Sequence, residues 1–352
     1  MERILLYYPA INIPNGKWVR DSILYTDKVA SIFPFQDIKN PNVNDDIREL
    51  FDEGQYEPFY VLKELESQKG SSLLTDFENN FLSIIKSKEF KKVRRNLKTQ
   101  EKNKNFMQNE YEIYIQKLTN RTVEFLKNNK LFLEVNSKEV IVDKVTATVY
   151  LSMLANFLSN VNSNVVIPST DNPEFERIAF QLADTKIPTN QIIIKNCLPT
   201  PSPNVSLKKI IKFKKKRNQE LQKFRKEIDK IEEEIVSSDN QEDRKLKMVQ
   251  FKENYEIEVK DLKKLYGDSN IELVWNSFNS LLDFKEKDLS GLKGSLTGLG
   301  LISSHPFTGI PGIVAGSIAL VVTGINTYKK TKRKIESNSY SYLYYAEKSG
   351  VV

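Results

Sequence analysis

Residues 3–34, RILLYYPAINIPNGKWVRDSILYTDKVASIFP, decide the fold class of this chain. The apolar run 3–8 closes at Pro9 and predicts a strand that enters a core. The loop that follows is broken by proline and glycine. Beyond it, 18–28 carry apolar residues at helical spacing, and VASIF, 29–33, predicts a second strand. A strand, a helix and a strand in this order predict a mixed α/β domain.

We expect this first domain to extend over 1–199. Residues 45–130 predict mostly helix, including the stretch NFMQNEYEIYIQKL. LFLEV and EVIVD, 131–143, predict a β-hairpin, and TATVYLSMLANFLSNV predicts a helix. NVVIPSTD, 164–171, and QIIIKNCLP, 191–199, predict two further strands. The predicted fold class is therefore α+β or α/β, rich in helix.

The remainder of the chain differs in character after TPSPN, 200–204, which proline marks as a linker. Apolar residues from Leu207 onward step by three and four, which predicts an antiparallel coiled-coil hairpin over 205–266. We expect a third, helical region over 267–352. It contains an apolar helical hairpin in which no charged residue occurs from Gly294 to Tyr328.

Glycines are concentrated in this apolar hairpin, and two pairs have the GxxxG spacing that allows close helix packing in lipid: Gly294, Gly298, Gly312 and Gly316. Lys329 and Lys330 follow and would face an anionic membrane surface. Residues 311–325 span only about 22 Å as a helix, whereas a bilayer core needs about 30 Å. The length therefore favours a buried soluble hairpin over a simple membrane span, and both interpretations stay open.

A basic run occupies the start of the predicted coiled coil, where seven of the ten residues 208–217 are Lys or Arg. One interpretation is a basic surface for phosphate groups of nucleic acid or lipid. The other is a solvated helix whose charge is balanced by the acidic residues further along it, and the absence of interleaved aromatic residues favours it. The residues of this candidate basic surface are Lys214, Lys215, Lys216 and Arg217.

Polar residues near the predicted strand ends form a candidate ligand pocket, because ligands of α/β sheets bind at the carboxyl ends of strands. Two carboxylates there could hold a magnesium ion. Ordinary turn and capping chemistry is the competing explanation. The pocket consists of Lys17, Arg20, Asp27 and Asp171, with Asp21, Ser169 and Thr170 beside them.

The chain has one cysteine, Cys197, and one histidine, His305, among 352 residues. Intrachain disulfides are therefore absent, and zinc sites and histidine-dependent nucleophilic catalysis are disfavoured. We expect no cofactor and no resident metal ion. The net charge of +7 permits anionic partners without requiring them. The start of the chain lacks a signal-peptide pattern, so a cytoplasmic location is expected.

Several blocks together resemble an uncharacterised bacterial family known only as a domain of unknown function. They are RILLYYP with WVRDSILYTDKVASIFP, VYLSMLANFLS leading to VVIPSTD, CLPTPSPNVSLKKIIKFKKKRNQELQKFRKEI, and SYLYYAE. The resemblance implies a shared architecture across nearly the whole chain. It implies no activity, cofactor or catalytic residue.

The sequence thus predicts a non-enzymatic recognition and effector protein. In this hypothesis the first domain recognises a ligand, and the coiled coil and apolar hairpin mediate self-association or membrane contact. The first alternative is an enzyme that uses carboxylates of the first domain with a metal or phosphate ligand. The second alternative is a nucleic-acid-binding protein that uses the basic helix.

Overall fold

A computed structural model describes residues 2–88, 90–92, 94–95, 110–134, 138–162, 164–172, 175, 198–236 and 338–352, with a few positions between 243 and 258. The described chain combines helices with two sheets, as the sequence predicts. The larger sheet has the strand order β3-β2-β1-β7 and is parallel throughout. Its strands are β1 (Arg3–Tyr7), β2 (Lys28–Phe33), β3 (Tyr56–Tyr60) and β7 (Val165–Ser169).

The smaller sheet is antiparallel, with the order β4-β6-β5. It comprises β4 (Glu110–Tyr114), β5 (Phe132–Glu134) and β6 (Glu139–Asp143). The pairing of β5 with β6 confirms the hairpin predicted over 131–143. The prediction of helix for NFMQNEYEIYIQKL was wrong at its centre, because EYEIY pairs with β6 and buries Ile113. Alternating residues on a half-buried strand outweighed a helical spacing.

Helices cover both faces of the parallel sheet. They are α1 (Lys17–Tyr25), α2 (Asp45–Asp52), α3 (Val61–Glu66), α4 (Gln68–Lys86), α5 (Asn120–Asn128), α6 (Lys144–Val161), α7 (Leu207–Lys216), α8 (Asn218–Val236) and α9 (Ser341–Lys348). Among the described residues, no helix is long and apolar enough to cross a membrane.

Two apolar clusters result from the alternation of side chains along the strands. Ile4 and Leu6 of β1 point to one face, where α4, α6 and the smaller sheet pack. Tyr7 points to the opposite face, which packs against α1, α2 and the helices after residue 206. Because neighbouring strand residues point to opposite faces, a continuous apolar strand such as RILLY serves both cores.

Strand β3 was not predicted. Its sequence YEPFY contains Pro58, which cannot donate a hydrogen bond to a neighbouring strand. In the described sheet β3 pairs only with β2 and therefore lies at the edge, where a proline is tolerated. Another predicted strand, over 191–199, lies almost entirely outside the described residues.

The predicted linker at 200–204 does not separate two packed units. Leu198 and Val205 are buried on either side of it and belong to the same core as α1. The apolar stripe of the predicted coiled coil, which includes Leu221, Phe224 and Ile228, also packs into this core. The stripe therefore contacts the α/β unit, and its two segments α7 and α8 meet at Arg217.

Of the second predicted coiled-coil arm, only scattered residues are described. Lys247 Nζ donates to the Glu234 carbonyl at 2.9 Å, and Asn338 Nδ2 donates to Glu258 Oε2 at 3.0 Å. The chain around 247 therefore lies beside α8, and Glu258 lies next to the residues that enter α9. The apolar hairpin predicted over 294–328 lies outside the described residues.

Candidate functional site

The order of strands reverses at β1. From β1 the chain adds β2 and β3 on one side, and β7 then pairs with the other side of β1. In an open parallel sheet, the loops that leave two strands in opposite directions create a crevice at their carboxyl ends, and this crevice is the usual ligand site. The carboxyl ends of β1 and β7, which pair through Tyr7 and Ser169, lie at this position, and we refer to it as the crevice.

Two hydrogen bonds cross this crevice. The Tyr7 hydroxyl donates to Asp171 Oδ1 at 2.8 Å, and Trp18 Nε1 donates to Ser169 Oγ at 3.0 Å. The Tyr7 and Trp18 rings are themselves 5.0 Å apart between centroids. Burial and the Asp171 carboxylate raise the pKa of Tyr7, so the phenol stays protonated and donates. These contacts join the end of β1, the end of β7 and the start of α1.

An ion pair between the exposed Lys17 and the buried Asp21 lies on α1. Lys17 Nζ contacts Asp21 Oδ2 at 2.7 Å, and the Asp21 side chain is 4% exposed. The Thr200 hydroxyl reaches the same oxygen at 3.4 Å. The other oxygen, Oδ1, is buried and has no hydrogen-bond partner within the part of the chain that the structure describes. Burial raises the pKa of Asp21 to about 7, and the Lys17 ammonium opposes that rise.

The helix spacing explains why Lys17 and Asp21 meet. Residues i and i+4 lie one above the other on a helix face, and helical side chains point back toward the amino end. Asp21 therefore points toward the start of α1, which lies at the carboxyl edge of the sheet. A charged carboxylate with an unpaired buried oxygen is costly, so burial favours the protonated form of Asp21, and the polar neighbours only oppose that effect.

Arg20, unlike Lys17, does not pair with Asp21 but contacts the segment after residue 198 and Asn15. Its guanidinium donates to the carbonyls of Ser202 and Val205 and to Asn15 Oδ1. It thereby holds the segment after residue 198 against α1. Because the guanidinium donates to these three groups, Arg20 is a structural bridge in the described structure.

Asp27 lies at the opposite, amino edge of the sheet. Its carboxylate accepts from the Arg3 backbone N–H at 2.8 Å and pairs with the Arg225 guanidinium. Burial opposes ionisation, yet the Arg225 charge holds the pKa of Asp27 below its ordinary value. The structure therefore does not bring Asp27 together with Asp171, and a magnesium site built from these two carboxylates does not form. Among the described residues, no group of three or more potential metal ligands is present.

The basic run of α7 makes intramolecular contacts. Lys214 Nζ is buried and donates to the Asp27 carbonyl and to Gln55 Oε1, and burial with the neighbouring Arg225 charge lowers its pKa to about 7. Lys215 pairs with Glu53 at 2.6 Å. Arg217 pairs with Glu220 and covers the Tyr345 ring at 3.6 Å.

Lys216 is exposed, whereas Lys214, Lys215 and Arg217 of the basic run make the contacts with other residues given above. The remaining residues singled out from the sequence, the four glycines Gly294, Gly298, Gly312 and Gly316 with Lys329 and Lys330, lie outside the described residues.

The sequence interpretation missed Tyr7 and Trp18 as members of this site. Both were assigned to the core because of their apolar character, although each carries a polar group that needs a partner when buried. Their positions, at the end of the first strand and the start of the first helix, were the available signal.

The fold and the site define a mixed helix-and-sheet protein with a polar crevice at the carboxyl edge of a parallel sheet. The chain belongs to a family of unknown function, DUF6236, whose model matches residues 136–349. This confirms the resemblance to an uncharacterised domain. The matched range runs from β6 to α9. No curated protein and no solved structure shows significant similarity to the chain.

Proposed function

We propose that this is a recognition protein whose α/β core binds a small polar molecule in the crevice between β1 and β7. The observation that supports this proposal is the buried Asp21 oxygen without a described partner, on the helix that follows β1, the strand at which the strand order reverses. A buried polar atom without a partner is costly, and a ligand hydrogen-bond donor would remove that cost.

The residues of the crevice favour a ligand that carries hydroxyl or amino groups. Asp171 is exposed and acidic, and Asp21 offers an acceptor, so both are suited to O–H or N–H donors. The Tyr7 and Trp18 rings provide an apolar wall beside these acceptors. Nucleosides and sugars combine such donors with an apolar face, and we expect the ligand to come from these classes.

Helix α1 links the crevice to the C-terminal helices. Its first turn carries Lys17 and Trp18, and its last turn contacts α8 and α9. The Tyr342 hydroxyl of α9 donates to the Leu24 carbonyl at 2.7 Å, and the Phe224 ring of α8 lies 6.2 Å from that of Tyr25. A ligand that repositions α1 would therefore act on the two helices between which residues 237–337 are inserted.

We assign the effector role to this insertion. Its apolar stretch, 294–328, is followed by Lys329 and Lys330, a composition suited to an anionic membrane surface or to self-association. The antiparallel coiled coil predicted for 205–266 would carry the signal from the core. In this scheme the protein works at the cytoplasmic side of a membrane, and nucleic acid is not its ligand.

Ligand binding is tested with saturation-transfer NMR on the full chain, using a panel of nucleosides, nucleotides and hexoses. We expect at least one compound to bind the wild type and to lose binding in Asp171→Asn and in Tyr7→Phe. The first change removes the carboxylate charge and replaces one acceptor oxygen by an NH2 donor, and the second removes the hydrogen bond across the crevice. Asp45→Asn is the matched control, since Asp45 pairs with Arg48 on the surface of α2.

The proposal fails if no compound binds, or if a bound compound is insensitive to both crevice variants. Circular dichroism of each variant separates loss of the site from loss of the fold. Loss of binding in the Asp45→Asn control as well would also count against the crevice, because that residue lies outside it.

A further inference from the structure

Lys117 is the most deeply buried lysine in the described structure, with 3% of its surface exposed. It ends a single 3-10 turn, Ile115–Lys117, that follows β4. The Tyr150 hydroxyl donates to its carbonyl at 2.9 Å and fixes the backbone at this point. Tertiary contacts therefore hold the lysine in place, although the sequence QKLT gives no sign of a special role.

Lys117 is one of the residues that line a cavity of about 200 Å³ between the smaller sheet and the loop that follows β1. The walls are largely apolar and include Ile11, Ile113 and Leu151. Two polar groups at the rim have partners of their own: the Tyr111 hydroxyl donates to the Pro9 carbonyl, and Asn12 Nδ2 donates to the Asn42 carbonyl. The lysine amine is thus the reactive group of this cavity.

No acidic side chain neutralises Lys117 within the described part of the chain. Glu112 is the one carboxylate among the lining residues, and it is exposed and lies near Glu139. Burial alone lowers the pKa of Lys117 to about 7. A lysine desolvated in an apolar pocket is largely a neutral amine near pH 7, and a neutral amine is a nucleophile.

We propose that Lys117 captures a small carbonyl compound, either an aldehyde or a 2-oxo acid, as a reversible imine in this cavity. The amine lone pair attacks the carbonyl carbon and forms the C–N bond. The carbonyl oxygen then leaves as water with the two amine protons, and hydrolysis restores both reactants without an oxidant or a reductant.

The size of the cavity limits the ligand. At about 30 Å³ for each water in the liquid, the volume corresponds to roughly six or seven waters, so a three- or four-carbon carbonyl compound fits. The cavity shares only the loop after β1 with the crevice between β1 and β7 and contains neither Asp21 nor Asp171. The two sites can therefore be tested separately, and failure of one leaves the other standing.

The experiment treats the full chain with glyceraldehyde or with pyruvate at about pH 7 in the presence of cyanoborohydride. This reagent delivers hydride to the imine carbon and leaves a stable secondary amine. Peptide mass spectrometry then measures the modification of each lysine. We expect Lys117 to be modified at least about tenfold faster than the exposed Lys39 and Lys216, because burial lowers the pKa of Lys117 to about 7, close to the reaction pH.

Faster modification by pyruvate would identify 2-oxo acids as the preferred class, and faster modification by glyceraldehyde would identify aldehydes. The proposal is overturned if Lys117 stays unmodified by both, or reacts no faster than the two surface lysines. Lys117→Met serves as the control for assignment of the modified peptide. If that variant does not fold, the pH profile of wild-type labelling decides: a midpoint near 7 supports the proposal, and one near 10 contradicts it.

Discussion

Asp21 and Lys117 are both buried, and burial moves the pKa of each side chain toward neutrality. The causes differ in one respect. Asp21 has Lys17 as a partner for one oxygen, whereas Lys117 has no ion-pair partner in the described structure. A folded protein tolerates such groups at a cost to its stability, and such groups are concentrated at functional sites. Each group also makes stability depend on pH in a predictable direction.

For Asp21 the folded-state pKa of about 7 lies above the ordinary value of 3.8. The folded protein therefore holds this proton more tightly than the unfolded chain, and its contribution to stability falls as pH rises from about 4 to about 7. We expect Asp21→Asn to remove this fall, which for one proton reaches at most about 1.4 kcal/mol for each pH unit. Urea unfolding at several pH values measures it.

The matched control for that series is Asp45→Asn, whose carboxylate is almost fully exposed. The control should retain the wild-type slope between about pH 4 and 7. A slope in Asp21→Asn that equals the wild-type slope would mean that Asp21 ionises normally in the folded protein.

For Lys117 the pKa shift has the opposite effect, so its contribution to stability improves as pH rises. The folded-state pKa of about 7 lies below the ordinary 10.5, so folding expels a proton between these values. The resulting penalty is full below about pH 7 and disappears toward about pH 10. We expect Lys117→Met to stabilise the protein by more than about 1 kcal/mol at pH 6, because methionine buries without this penalty.

Thermal unfolding of wild type and Lys117→Met from pH 6 to pH 10 follows this difference. It should shrink steadily as pH rises, and Lys39→Met at the surface should show no such trend. A stability difference that is constant with pH would assign the effect to packing and would contradict a neutral amine at this position.

At the scale of elements, local patterns predicted what local interactions determine. The strands β1, β2 and β7, the helices α1 and α6 and the hairpin of β5 with β6 follow from runs of apolar residues and from turns. Strands β3 and β4 depend on partners distant in sequence, and nothing in YEPFY or EYEIY alone identifies those partners. Edge position and cross-strand pairing overrode the local preference.

The apolar stripe of α8 also shows that a local pattern predicts an element but not its packing partner. Its spacing predicts an amphipathic helix, but spacing cannot tell a coiled-coil partner from a domain surface. In the structure Phe224 stacks at 6.2 Å against Tyr342 of α9, and Ile228 is 4% exposed in the same core. The helix prediction therefore holds over α8, while its packing partner depends on α9, more than 100 residues later in the chain.

We expect Ile228→Asp to lower the free energy of unfolding by about 3 kcal/mol or more, because it buries a charge without a partner. Leu246→Asp is the matched control. Leu246 is 54% exposed, so its substitution should cost well under 1 kcal/mol. Chemical denaturation compares the two. Equal effects at both positions would indicate that α8 does not dock on the α/β core through this face.

At the scale of the whole molecule, the two ends of the chain complete one core. Tyr342 and Leu343 of α9 are buried against α1 and α7, and β7 completes the sheet beside β1. These long-range arrangements were beyond sequence analysis. The strand ends did indicate the crevice through Lys17, Ser169 and Asp171, but the separation of Asp27 from them depends on the direction in which α1 runs.

The contact between Glu258 and Asn338 permits a test of the insertion. Replacing residues 259–337 by a short glycine–serine linker should leave the core folded, because its two ends are already adjacent. We expect an unfolding temperature within a few degrees of the wild type, measured by calorimetry. In flotation with vesicles that contain an anionic phospholipid, the wild type should associate and the replacement should not.

High salt should weaken that association, because charge attraction to the vesicle surface is screened. Equal flotation of wild type and replacement would remove the effector role of 294–328. An unfolded replacement would show instead that the insertion is part of the core, and that result would also contradict the proposed division of roles.

Ligand binding in the crevice is tested by a crystal structure of the full chain grown with the nucleoside or sugar that binds best. We expect electron density for the compound in the crevice between β1 and β7, with a donor group within hydrogen-bond distance of Asp21 Oδ1 or Asp171. Density for the compound elsewhere, with the crevice closed by protein atoms that satisfy Asp21, would contradict it.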